Sequence, residues 1–242
     1  MTQITPSPAP AELAHIQTVI LDLAGTTVQD EGLVERAFAL TAERTGIAQG
    51  EAAREQALQI VRDTMGQSKI EVFRMIADSE EDAQRGNLAF EDSYAELAGQ
   101  VGLAEIPGAE AAIRSIRGAG RFVVLTTGFS PVTRDAILTA LGWTELADAV
   151  LSPADAGRGR PFPDMPLTGL LRTGASSVTN LAVLGDTTSD IGAGLAAGAG
   201  FVAGVLTGAH GRDALLGAGA HRVLDSVAEL PALLGIDATR VG

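Results

Sequence analysis

The 242-residue sequence contains no cysteine. That excludes disulfides, thiolate metal sites and a cysteine nucleophile. With no oxidative cross-link, and no apolar leader in residues 1–13, a cytoplasmic address is the expectation. Lysine is nearly absent: the 17 basic residues are sixteen arginines and one lysine, Lys69. Aromatic residues make up 4% of the chain, with a single Trp, Trp143, and a single Tyr, Tyr94. No apolar run approaches the ~20 residues of a membrane span. The richest stretch, Ile191–Val205, is broken by glycines and reads as helix, turn, strand. Positive charge is also in deficit, with 17 Lys+Arg against 30 Asp+Glu and a net charge of −13. This excludes a nucleic-acid or anionic-membrane surface, but not a small anion, which responds to the local field.

What is present is an alternation. The 46% hydrophobic content suffices for a core. Residues 1–14 read as a loose tail. Ile16–Leu21 is an apolar, β-branched run that ends at Asp22 and reads as a buried strand. Residues 31–102 show no strand pattern. They give helices around Leu33–Thr41, Glu51–Thr64, Ile70–Ile76 and Leu88–Leu97. After Pro107 strands are expected at Phe122–Leu125, Ala149–Leu151, Leu181–Leu184 and Phe201–Leu206. Helices at Pro131–Leu141, Pro163–Arg172 and Ser189–Ala197 separate them, and a last strand and helix cover His221–Leu234. Strands alternating with helices predict an α/β, Rossmann-like, doubly wound parallel sheet, with a helical domain inserted after the first strand. The expected division is a core of 15–30 and 103–242 and an insert of 31–102.

Such sheets bind ligands at the carboxyl ends of their strands. The first strand delivers Asp22-Leu-Ala-Gly-Thr-Thr27, and a later one Thr126-Thr-Gly128. A loop follows with Arg160-Pro-Phe-Pro163, and another strand ends in Gly185-Asp-Thr-Thr-Ser-Asp190. Each alone reads equally as a turn or a helix cap. The four in this order, all at strand ends, point to one site.

This set resembles the haloacid dehalogenase superfamily of Asp-nucleophile hydrolases, over Ile16 to Leu234, and within it the phosphonoacetaldehyde hydrolase (phosphonatase) branch. The resemblance implies a phosphoryl-transfer site in which Asp22 is the nucleophile and forms an aspartyl phosphate. It implies Mg²⁺ held by Asp22, the Ala24 carbonyl, Asp186 and Asp190, since hard oxygen ligands are what these residues offer. Thr126 and Arg160 would stabilise the phosphoryl oxygens. Ala24, Thr26, Met65, Gly66, Thr127 and Gly128 would contact a small phosphorylated or phosphonate substrate. Residues 31–102 would be a cap, whose apolar face makes a homodimer.

The branch is indicated by two positions. Phosphatases of the superfamily carry a second aspartate two residues after the nucleophile, where this chain has Ala24, which can neither protonate a leaving alcohol nor activate water. Phosphonatases place a lysine in a cap segment that begins Met-Gly, and Met65-Gly-Gln-Ser-Lys69-Ile70 matches that segment. A lysine imine turns a departing carbanion into an enamine, which makes a C–P bond breakable. Two positions depart from the pattern: Val72 stands where a histidine is expected, and Phe129 where an aromatic hydroxyl is expected. Three readings remain: a Mg²⁺-dependent phosphonatase-like hydrolase, a phosphatase for a small phosphate monoester, and a non-catalytic metabolite-binding protein.

Overall fold

Short, continuous apolar runs, buried on both faces, build the sheet. The computed structural model describes residues 13–236. Six strands form one sheet: β1 Thr18–Asp22, β2 Phe122–Thr126, β3 Ala149–Leu151, β4 Leu181–Gly185, β5 Phe201–Val205 and β6 Arg222–Leu224. Their order is β3-β2-β1-β4-β5-β6, and every neighbouring pair is parallel. The chain winds outward in one direction from β1 and in the other from β4. The junction of β1 and β4 is therefore the switch point, where a crevice opens at the strand ends.

Because side chains alternate faces along a strand, each run feeds two cores. Val19 and Leu21 of β1, with Val123 and Leu125 of β2, point to one side, where α5 (Ala109–Gly118) and α11 (Leu230–Leu233) cover them. Ile20 and Val124 point to the other. There Met165 of α8 (Asp164–Thr173), Ile191 of α9 (Thr188–Ala197) and Leu215 of α10 (Arg212–Gly217) close over them. Burying each such side chain contributes about 1.5–3 kcal/mol. Two further helices, α6 (Pro131–Leu141) and α7 (Pro153–Ala156), follow β2 and β3. At α6 the Ser130 hydroxyl caps the Thr133 amide, Pro131 opens the first turn, and Gly142 closes the last.

Between β1 and α5 lie four helices: α1 Leu33–Thr45, α2 Glu51–Asp63, α3 Lys69–Ile76 and α4 Glu80–Val101. The scarce aromatics are concentrated here. Phe38, Phe73, Phe90 and Tyr94 pile against one another and against Phe129, in the loop after β2. Phe38 lies 4.6 Å from Phe90, and Tyr94 lies 4.7 Å from Phe129, centroid to centroid. The pile joins the inserted helices to the sheet domain through one continuous apolar cluster.

Three sequence expectations need correction. The helix expected at Leu88–Leu97 runs from Glu80 to Val101 and starts at the Ser79 cap, whose hydroxyl accepts from the Asp82 amide. Its first two turns bury only small residues, Ala83 and Gly86, and so carry no apolar stripe. Helices α5, α7 and α10 were not anticipated. The tail expected for residues 1–14 lies outside the described residues as far as position 12, and Leu13 is 1% exposed within the core. No helix among the described residues is long and apolar enough to cross a membrane.

Candidate active site

The strand ends at the switch point converge on a cavity of about 510 Å³. Asp22 and Thr126 end β1 and β2 in register with each other. Asp186 follows β4, next to β1. Arg160 comes from the loop between α7 and α8. All four are buried. Asp22, Ala24, Thr127, Gly128, Arg160 and Asp186 lie on the cavity wall, and Met65, Gly66 and Lys69 enter from the inserted helices. Thr26, Thr126 and Asp190 are not on this wall. The Thr26 hydroxyl donates to Asp186 Oδ1 at 3.2 Å and fixes that carboxylate. The Thr126 hydroxyl is turned toward the Leu21 carbonyl, 3.4 Å away.

Asp190 holds two groups at once. Its Oδ2 accepts from the Thr187 amide and hydroxyl, which completes the capping box of α9, and its Oδ1 accepts from Arg160 Nη1. The Gly-Asp-Thr-Thr-Ser-Asp run is therefore a helix cap and a site element together. Arg160 Nη2 lies 2.6 Å from Asp22 Oδ1. Nη2 is thus engaged in a charge-assisted contact with Asp22, and Nε of this buried guanidinium has no hydrogen-bond partner. Buried donors of this kind cost free energy unless an acceptor arrives, and an anion seated beside Asp22 would supply it.

One oxygen from each of Asp22, Asp186 and Asp190 lies within 4.8 Å of the others. Burial and the neighbouring Asp190 raise the Asp186 carboxyl to about 7, against the Ala209 amide, which donates to its Oδ2 at 2.7 Å. Burial also raises Asp22 well above the usual carboxylate range; Arg160 opposes the rise, and Asp190 and Asp186 add to it. Three crowded carboxylates facing one guanidinium leave a surplus of negative charge that a hard divalent cation would neutralise. The Ala24 carbonyl lies beside them with no hydrogen-bond donor among the described residues. This donor set fits Mg²⁺.

The segment that carries Lys69 is pressed onto the strand-end loops. The Lys69 amide donates to the Gly128 carbonyl at 3.3 Å. A Cβ on Gly128 would fall 2.4 Å from the Gln67 carbonyl oxygen. One on Gly66, whose φ is +85°, would fall 2.4 Å from Thr187 Oγ1. Only glycine permits this approach. Lys69 is 7% exposed, and its Nζ lies 5.1 Å from the Phe129 ring centroid. Burial lowers its amine to about 8, with Arg160 adding to the effect and Asp30, Asp22 and Asp186 opposing it. Val72 and Phe129, where polar groups were expected, are both buried apolar residues.

Sequence reasoning missed two parts of the wall. Thr207, Gly208 and Ala209 follow β5 and line the cavity, so the strand-end rule applied to one more strand would have found them. Asp30 lines it at the entry to α1, where a lone aspartate before a helix reads as a cap. It is that too, since its Oδ1 accepts from the Val34 amide. His210 lies off the wall, with Nδ1 accepting from the Thr188 amide, and Trp143 is packed with its indole N–H donating to Glu110.

The family model described as haloacid dehalogenase-like hydrolase matches residues 16–198. The chain is 29% identical to a protein named probable phosphatase IndB of Dickeya dadantii, over 88% of this chain and 90% of that one. It is 28% identical to a phosphonoacetaldehyde hydrolase of Parabacteroides distasonis, over 53% of this chain and 58% of that one. A solved structure, a phosphonoacetaldehyde hydrolase-like protein of Oleispira antarctica, superposes with a TM-score of 0.77 at 25% identity, covering 97% of this chain and 95% of that one.

Proposed function

Because the chain belongs to the haloacid dehalogenase-like hydrolases, we propose that it is a Mg²⁺-dependent hydrolase that cleaves the C–P bond of phosphonoacetaldehyde or a related small phosphonate. The observation that carries this reading is the placement of the chain's one lysine. Lys69 is buried on the same cavity wall as Asp22 and Arg160, while Ala24 occupies the place of the acid an ester hydrolase needs.

In this reading the helical segment 31–102 is a cap that closes over the substrate. Mg²⁺ held by Asp22, the Ala24 carbonyl and Asp186, with Asp190 beside them, supplies neutralising charge at the phosphoryl group. The Arg160 guanidinium, whose Nε is unpartnered, takes phosphonate oxygens, and Thr127 and Gly128 flank them. The Lys69 amine attacks the aldehyde carbon and water departs, leaving a protonated imine. The Asp22 carboxylate attacks phosphorus in line. The C–P bond breaks and its electron pair moves into the iminium, giving an enamine on Lys69 and an aspartyl phosphate on Asp22. Water hydrolyses both, releasing phosphate and acetaldehyde; the net change is one water consumed.

A second reading is a phosphatase for a small phosphate monoester. It is favoured by the longer match to the protein named probable phosphatase and by Val72 in place of the expected histidine. In that case the Lys69 ammonium, rather than a second aspartate, protonates the leaving alcohol.

Borohydride trapping separates the two. Wild type and Lys69→Arg are incubated with Mg²⁺, phosphonoacetaldehyde and borohydride, and in parallel with phosphate esters. A covalent adduct at Lys69 in wild type, with acetaldehyde released in the unreduced control, is the expected result. No adduct and no acetaldehyde, with esters hydrolysed, would establish the second reading.

A further inference from the structure

The cavity is acidic well beyond its catalytic floor. Five carboxylates and two cationic side chains line it: Asp22, Asp30, Glu31, Glu35 and Asp186 against Lys69 and Arg160. The charges are segregated by depth. Asp22, Arg160 and Asp186 are buried at the strand ends, whereas Glu31 is exposed and Asp30 and Glu35 are half-buried. The floor therefore holds both ends of the metal-and-phosphoryl chemistry, and the mouth carries the surplus of negative charge.

Not every mouth carboxylate is free. Glu35 is paired with Arg62 at 3.0 Å. Asp30 and Glu31 form no ion pair among the described residues. The N-terminus of α1 also opens here and would otherwise welcome an anion. Its Val34 amide, however, is already taken by Asp30 Oδ1 at 3.3 Å. Glu31 is held at the rim by a left-handed turn, with φ 45° at Glu31 and 73° at Gly32. Burial raises the Asp30 carboxyl, with the Val34 amide and Lys69 opposing the rise. The two cations on the wall are already committed: Arg160 is paired with Asp22 and Asp190, and Lys69 feels Asp30 ahead of Asp22 and Asp186.

We propose that Asp30 and Glu31 make the mouth a charge filter, which admits phosphoryl compounds whose other end is uncharged or cationic and rejects those whose other end is a carboxylate. This rests on the reading that the phosphoryl group sits at Asp22 and Arg160, and it deepens that reading by naming the class of substrate. It does not depend on whether the C–P bond is cleaved.

The test uses three phosphonates that lack an aldehyde and so cannot react through an imine: ethylphosphonate, 2-aminoethylphosphonate and phosphonoacetate. Binding to the full chain with Mg²⁺ is measured by calorimetry for wild type, Asp30→Asn, Glu31→Gln and Glu31→Lys. The expected result is that phosphonoacetate binds at least tenfold more weakly than ethylphosphonate to wild type. Asp30→Asn and Glu31→Lys should each narrow that gap while weakening 2-aminoethylphosphonate. Glu31 is exposed, so its variants remain informative if Asp30→Asn fails to fold. Equal binding of ethylphosphonate and phosphonoacetate, or a gap unchanged in every folded variant, would overturn the filter alone. Binding of none of the three would overturn the phosphoryl seat and the filter with it.

Discussion

Arg160 and Asp22 form a buried ion pair, with Nη2 2.6 Å from Oδ1 and side chains 3% and 6% exposed. The same guanidinium binds Asp190. One arginine thus separates the proposed nucleophile from a second carboxylate, and a cation removed from such a pair leaves buried charge uncompensated. Arg160→Met should lower metal-free stability by about 3–5 kcal/mol. It should also lower turnover by a factor on the order of 10²–10³ at saturating Mg²⁺, because a fixed charge at the phosphoryl oxygens is lost. Chemical denaturation and steady-state kinetics on the same preparation check both. A stable, fully active Arg160→Met would sink the assignment.

Lys69 makes the pH dependence predictable in sign. Attack on an aldehyde needs the free amine, and burial brings that amine to about 8. Activity through an imine should therefore rise with pH through that value, and fall about tenfold for each unit below it. A bound divalent cation lowers an ammonium pKa further, so the limb should move to lower pH as Mg²⁺ is added. The measurement is kcat/KM for phosphonoacetaldehyde from pH 5.5 to 9. A flat profile, or one that rises toward acid, contradicts a free-amine mechanism.

The parts of the fold visible in the sequence are those where chemistry and periodicity coincide. β1 was legible because five consecutive buried residues end at an aspartate, and α6 because Ser130, Pro131 and Gly142 mark its bounds. The start of α4 was not, because Ala83 and Gly86 are small enough to bury against the aromatic pile without an apolar stripe. The candidate site divides the same way. Asp22 and Asp186 announce themselves as charges at strand ends; Arg160, expected at one, instead sits in the loop between α7 and α8. Ala209 acts through its backbone amide, which every residue has, and Asp30 already has a cap to explain it. Lys69 was conspicuous through the absence of every other lysine.

The carboxylate cluster predicts how metal and proton compete. Asp186 is raised from 3.8 to about 7 by burial. In that interval the native state holds a proton that the unfolded state has lost, so metal-free stability should fall as pH climbs through it. Above about 7 the Asp186 carboxylate is ionised and ready for a cation. Mg²⁺ should therefore stabilise more at pH 8 than at pH 5.5. At a hundredfold excess over Kd the gain at pH 8 is about 2.7 kcal/mol, or roughly 5–10 °C in Tm. Thermal scans at the two pH values, each with and without Mg²⁺, decide it. An equal shift at both would mean that the metal binds elsewhere.

The close approach of the Lys69 segment gives the most local prediction. Gly128 needs no unusual backbone angle, so alanine is acceptable there in isolation. Its Cβ would nevertheless lie 2.4 Å from the Gln67 carbonyl, closer than real Cβ contacts come. The segment must lift, and the 3.3 Å bond from the Lys69 amide to the Gly128 carbonyl lengthens with it. Water then reaches the amine, whose pKa should return toward ~10.4. Gly128→Ala should thus move the pH limb upward and lower kcat for phosphonoacetaldehyde. Gly99→Ala is the control. That glycine lies inside α4 with nothing within 4 Å of its Cβ position, so alanine there should stabilise by about 0.5–1 kcal/mol and leave the pH profile alone. If Gly128→Ala keeps the wild-type limb near 8, the proximity of the segment does not set the lysine's acidity.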